Sequence, residues 1–183
     1  IKAAKNGIQP LLGSIIEIII DDDLNNLDHK SKILLIVKDN IGWRNLSYLI
    51  SKTFLNNEGQ GQTPISIKEL FNHSDGLICL LGGIYGPLYS YIVSDKIKEA
   101  MEITSSFKKH FSNRLFMEIM RHGIETEKST ENYFLKIASD SSIPIVATNN
   151  IYFGNLNMFE AHDCLMCISE GTTISNLNRN RLN

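Results

Sequence analysis

Five short runs of apolar, largely β-branched residues are separated by loop or helix-period sequence, and this alternation constrains the fold more than anything else in the chain. The runs are Ile8 to Ile20, Ile33 to Val37, Gly76 to Gly82, Leu115 to Met120 and Pro144 to Thr148. The first is interrupted by Pro10, Gly13, Ser14 and Glu17. Near-continuous apolar sequence of this length suits strands buried on both faces, as in parallel sheets. Asn40 to Phe54 has helical spacing, with Ile41, Leu46, Leu49 and Ile50 on one face. Ser66 is placed to cap a short helix through Phe71. Ser94 and Asp95 open an amphipathic helix with Ile97, Met101, Ile103 and Phe107 inward and Lys98, Glu102 and Lys108 outward. Thr126 to Ser139, with Tyr133, Phe134 and Ile137, and Asn157 to Ile168 read as further helices. Strand–helix pairs of about 30 to 40 residues predict parallel βαβ units in an α/β fold. Periodicity leaves a doubly wound sheet and a barrel equally open.

With 183 residues, 43% hydrophobic and 21% charged, the chain suits one globular domain or a slice of a larger protein. Net charge is −2, with 18 Lys and Arg against 20 Asp and Glu, which argues against a segment that grips DNA alone. Three cysteines make no disulfide framework, so a reducing cytoplasm is the default. No apolar run approaches the roughly 20 residues that span a bilayer, and no secretory signal is expected. Residues 1 to 5 read as the last turns of a helix, with Gly7 in the left-handed position beyond it. Both ends, the second being Asn178 to Asn183, read as truncations. Asp21-Asp22-Asp23 opens a loop through Lys32 and reads as solvated rather than as a cation site.

Five segments, in order, resemble the PHP domain of the bacterial DNA polymerase III alpha subunit. They are Gly7-Ile8-Gln9-Pro10-Leu11-Leu12-Gly13, Gly42-Trp43-Arg44-Asn45-Leu46-Ser47-Tyr48-Leu49-Ile50-Ser51 and Asp75-Gly76-Leu77-Ile78-Cys79-Leu80-Leu81-Gly82-Gly83. Phe116-Met117-Glu118-Ile119-Met120-Arg121-His122-Gly123 is the fourth. Pro144 to Asn150 with Glu160 to Ile168 is the fifth. The resemblance covers nearly the whole chain. It implies a partial PHP domain over 1–183, a distorted (β/α) barrel incomplete at its N-terminus, with the last residues leading toward a polymerase palm region.

PHP domains hold divalent metals on His, Asp and Glu at strand ends, where a metal-bound water can attack a phosphate ester. By resemblance, an early H-x-H pair precedes Ile1, and the next acidic ligand position is Ile15. Glu17 points to the same side of its strand and could substitute only after a shift of about 6 to 7 Å; a plain strand-end Glu is the simpler reading. His122 matches a family ligand, and Asn150 and Tyr152 fall where the family has D-x-H. Asn keeps an oxygen without charge, and Tyr is a poor ligand near neutral pH. Only His122 keeps a ligand type, so no metal, no catalytic residue and no cofactor are expected in this segment; magnesium belongs to the parent's polymerase site. His162-x-Cys164-x-x-Cys167 has too few ligands for structural zinc and reads as core packing. Trp43 and Tyr48 read as packing residues rather than a base-stacking platform. Gly82, Gly83 and Gly86 form no phosphate-binding fingerprint and read as turn punctuation, with no nucleophile elbow or Walker A loop nearby.

The resemblance implies part of a replicative DNA-directed DNA polymerase, a cytoplasmic nucleotidyltransferase, with this PHP segment inactive itself. It would serve as a scaffold that docks the proofreading exonuclease subunit and other replicase subunits. DNA would be bound through the parent chain, and no membrane is involved. The alternatives are an active PHP phosphoesterase or nuclease on unusual ligands, and the remnant of a split or decayed gene.

Overall fold

The computed structural model describes residues 2–20, 30–55 and 63–179, so the acidic triplet at 21–23 lies outside the described residues. The chain divides into two compact units, Ile1–Thr148 and Asn149–Asn183. The first holds helices α1 (Lys2–Lys5), α2 (Asn40–Leu55), α3 (Ile67–Asn72), α4 (Tyr89–Val93), α5 (Ile97–Phe111) and α6 (Glu125–Asp140). Its strands are β1 (Gly13–Ile19), β2 (Lys30–Val37), β3 (Ile65–Ser66), β4 (Leu77–Gly82), β5 (Leu115–Ile119) and β6 (Ile145–Ala147). The second unit holds α7 (Phe159–Ser169) after a single 3₁₀ turn.

The six described strands form one mixed sheet in the order β3-β1-β2-β4-β5-β6. This corrects the expectation of parallel units throughout. β1 pairs antiparallel with β2, from Gly13 opposite Ile36 to Ile19 opposite Lys30, and β2 pairs antiparallel with β4. For β1 and β2 the reason is length: residues 20–29 are too short a connection for the crossover a parallel pair needs. Parallel pairing holds for β4 with β5 and β5 with β6, where α5 and α6 supply the crossovers.

One sheet face carries the core. Ile16, Ile18, Ile33, Leu35, Leu77, Cys79, Leu81, Leu115 and Met117 are buried against Leu46 and Leu49 of α2, Phe107 and Phe111 of α5 and Phe134 and Ile137 of α6. The opposite face is less covered, and the expectation of burial on both faces fails at β1, where Ile15 is 58% exposed. The first strand also begins later than its apolar run. Pro10 brings no N–H for a ladder, and Ile8, Leu11 and Leu12 are exposed before Gly13.

Helix ends explain three local results. α1 closes as anticipated, with Gly7 left-handed, its N–H on the Ala4 carbonyl and the Ile8 N–H on Ala3. Ser66 caps α3, its hydroxyl accepting from the Glu69 N–H at 3.2 Å. Asp95 does not open α5. It closes the unforeseen α4 in a left-handed conformation at φ 57, a role its short polar side chain tolerates. Inside α2, Ile41 is 58% exposed rather than inward, its core-facing place being taken by Gly42.

Candidate functional site

Ile15 lies on the less-covered sheet face in a cross-strand row Ile15–Leu34–Leu80–Phe116. A hydrocarbon side chain among hydrocarbon side chains offers a cation no donor. Glu17, two residues along, pairs with Lys32 across β1 and β2. His122 follows β5, three strands from β1, roughly 14 Å at ordinary strand spacing before the offset along the strand is counted. Ile15 and His122 are therefore not brought together.

His122 is tightly held. Glu127, from the first turn of α6, accepts the His122 backbone N–H at 2.7 Å with one carboxylate oxygen and meets ring Nδ1 at 2.7 Å with the other. An ionised carboxylate only accepts, so Nδ1 is the donor in that contact. Beside them the Arg121 guanidinium forks onto Glu131, Nε to Oε2 at 2.9 Å and Nη2 to Oε1 at 2.7 Å. That pairing holds the Glu131 carboxyl below its usual range and raises Arg121. A shallow cleft runs along Arg121, Gly123, Glu127, Lys128, Glu131 and Asn132. Its two acids, Glu127 and Glu131, balance its two cations, Arg121 and Lys128, and leave it without a positive surplus for phosphate.

Glu118 is a functional-type residue to which the sequence reading gave no role. It points from β5 to the less-covered face between Gly82 and Val146, only 6% exposed, and accepts the Thr148 hydroxyl at 2.6 Å. Burial pushes its carboxyl above the usual range, and the Thr148 hydrogen bond pulls the other way. The signal was legible: a lone acid in an apolar strand, on the side opposite the core residues. Glu118→Gln keeps a hydrogen-bonding partner for Thr148 and removes the desolvated charge. A raised folded-state value means the native state holds the proton more tightly, so Glu118 costs stability as pH rises from the unperturbed carboxylate range to its own value. The expected result is a higher urea midpoint for Glu118→Gln than for wild type at pH 7, converging below pH 4; equal midpoints at pH 7 would count against it.

Asn150 and Tyr152 belong to the second unit. Tyr152 and Phe153 pack around His162, with ring centroids 5.4 and 5.5 Å from it. Cys167 is buried and Cys164 half-buried, both as free thiols. Arg179 grips Asp163 through two hydrogen bonds, at 3.1 and 2.7 Å, and Asp163 is buried. Thus the H-x-C-x-x-C segment is occupied by ring packing and an ion pair. Among the described residues no three His, Cys, Asp or Glu side chains gather as a metal site.

Residues 1–122 match the PHP domain family. The chain is 36% identical over 171 residues to DNA polymerase III subunit alpha of Rickettsia bellii (strain RML369-C), covering 93% of this chain and 14% of that protein. It is 30% identical over 178 residues to the protein of that name from Caulobacter vibrioides (strain NA1000 / CB15N), covering 96% and 16%. With that of Escherichia coli O6:H1 it shares 29% identity over 175 residues, 96% of this chain and 15% of the relative. The chain thus spans about one-seventh of the length of these relatives, and no described helix is long and apolar enough to cross a membrane. On the strength of the match through residue 122, the chain belongs to the PHP domain family.

Proposed function

We propose that residues 1–183 are the PHP segment of a DNA polymerase III alpha subunit, a DNA-directed DNA polymerase of the cytoplasmic replicase. In this reading the segment is a scaffold that docks other replicase subunits, the proofreading exonuclease among them, and its mixed sheet is part of the PHP (β/α) barrel. The observation that carries the loss of metal chemistry is the pair Ile15 and His122. The first has no donor, and the second, braced by Glu127 and three strands away in the sheet, is a lone imidazole that belongs to no cluster of three potential ligands among the described residues. Asn150 supplies an uncharged oxygen and Tyr152 a phenol, a weak donor beside a carboxylate or imidazole. Such a donor set does not fit a cluster of divalent ions, which needs several charged or imidazole ligands at once. Polymerisation and DNA binding rest with the parent polypeptide, whose magnesium belongs to its polymerase site.

The test is elemental analysis of the full-length polypeptide after dialysis against zinc and manganese, with phosphatase activity on p-nitrophenyl phosphate alongside. Substoichiometric metal at this segment and no activity beyond a His122→Ala control are expected. Stoichiometric metal lost on His122→Ala would overturn the reading.

A further inference from the structure

α2 carries an outer face unlike the outer face of an ordinary surface helix. Gly42, Leu46, Leu49 and Thr53 turn inward, so residues 43, 44, 47, 48, 51, 54 and 55 fall on the other side at 3.6 residues per turn. On that side Trp43 is 52% exposed, Phe54 55% and Leu55 81%, with Tyr48 at 45%. Single exposed apolar residues need no explanation, but a cluster of aromatic residues on one helix does. Trp43 is the sole tryptophan of the chain and stands next to Arg44. Trp, Tyr and Arg are the side chains that most often dominate binding energy at protein interfaces.

The charge on this face has one sign. From Asn40 to Leu55 there is no acidic residue, and the cations are Arg44 and Lys52. Lys52 is engaged by Glu69 at 2.9 Å, whereas Arg44 makes no hydrogen bond or ion pair among the described residues. Tyr48 is held in place, stacked on His73 at 4.2 Å between ring centroids and approached by Lys52 at 5.7 Å. An aromatic side chain already fixed in its rotamer loses little entropy on binding.

We propose that the outer face of α2, centred on Trp43, Arg44, Tyr48 and Phe54, is the surface on which this segment docks a protein partner, through a partner segment carrying apolar side chains and a carboxylate that meets Arg44. It rests on the docking role proposed above and adds where the partner sits and what chemistry it brings. Among the described residues of this helix one cation is free, too little for nucleic acid, which draws on many phosphate contacts. An anionic membrane surface likewise calls for a cluster of cations beside the apolar residues.

The experiment measures binding of the proofreading exonuclease subunit to the full-length polypeptide by surface plasmon resonance. Four forms are compared: wild type, Trp43→Ser, Arg44→Glu and Leu165→Ser, the last as an exposed apolar control in the second unit. The expected losses are roughly thirtyfold in affinity for Trp43→Ser, a slower, less salt-sensitive association for Arg44→Glu, and no change for Leu165→Ser. Because the substituted side chains are exposed, urea midpoints should match wild type, which separates lost docking from lost folding. Wild-type affinity in both α2 variants overturns the assignment of the face and leaves the docking role standing. Absence of binding by the wild type takes down both. Trp43-dependent binding to phosphatidylcholine–phosphatidylglycerol vesicles, with exonuclease binding untouched, would make α2 a lipid-facing helix and overturn the proposal.

Discussion

Gly42→Ala is expected to destabilise the first unit by about 3 kcal/mol or more, because the added methyl has nowhere to go. A Cβ at Gly42 would lie 1.9 Å from the Gly76 carbonyl oxygen and 2.5 Å from its carbon. Neither backbone can yield cheaply. The Gly76 carbonyl already accepts the Lys38 N–H at 2.9 Å, and the Asn45 side chain holds the neighbouring Asp75 carbonyl at 2.8 Å. On the other side, Asp39 caps α2 by accepting the Ile41 and Gly42 N–H groups at 2.9 and 3.0 Å. Moving α2 outward would break that cap and lift Leu46 and Leu49 from the core. Gly76→Ala should be no milder, since φ there is +72° and its Cβ would meet the Gly42 nitrogen at 2.2 Å. Urea unfolding of the full-length polypeptide, followed by Trp43 fluorescence, reads this directly. A Gly42→Ala midpoint equal to wild type would mean that α2 docks elsewhere.

Arg114→Met should cost about 3 kcal/mol, again through backbone rather than charge pairing. The Arg114 guanidinium donates from Nη1 to the Ser74 and Leu77 carbonyls, both at 2.5 Å, and from Nη2 to the His110 carbonyl at 3.2 Å. Its side chain is 15% exposed, and its ion pair with Asp75 is long, 3.7 Å to a carboxylate that is 86% exposed. The pair therefore contributes little. What matters is that three carbonyls, from the turn before β4, the first residue of β4 and the end of α5, share one planar donor. Methionine fills most of the volume but leaves those carbonyls with a lost partner. Arg114→Lys retains the charge yet has no planar fork, so it should recover less than half of the loss. Thermal unfolding of wild type and both variants decides it: full recovery by lysine would show that charge, not geometry, is responsible.

Much of the architecture was legible because the residues responsible act locally. The Ser66 cap, the Gly7 helix end and the inward Leu46, Leu49 and Phe107 follow from neighbours within four positions. What the sequence hid depends on partners far along the chain. The antiparallel pairing of β1 with β2 is set by a connection length that apolar periodicity ignores, and that of β2 with β4 by pairing across a long connection. Asp95 carries both a helix-opening and a helix-closing propensity, and α4 decides between them. At the site, the chemistry of Ile15, Asn150 and Tyr152 could be read from residue type alone. The grip of Glu127 on His122 and of Thr148 on Glu118 needed the fold, the second pair being 30 residues apart in sequence. Trp43 was expected to pack and instead stands half exposed, since nothing in its own helix signals which side a neighbouring element leaves open.

Gly82 at the end of β4 and Gly86 beyond it, read at first as turn punctuation, act on strand alignment. A Cβ at Gly82 would fall 2.3 Å from the Glu118 carbonyl oxygen, and one at Gly86 would fall 2.0 Å from the Gly82 oxygen. Three stretches of backbone are thus stacked with only hydrogen atoms between them. Sliding β4 by two residues against β5 would drive Leu80 into that gap, and sliding it by one would bring Leu81 there and turn its core side outward. A slot that admits hydrogen and rejects every larger substituent is a registration key: it lets the two strands seat in a single alignment and excludes the shifted ones.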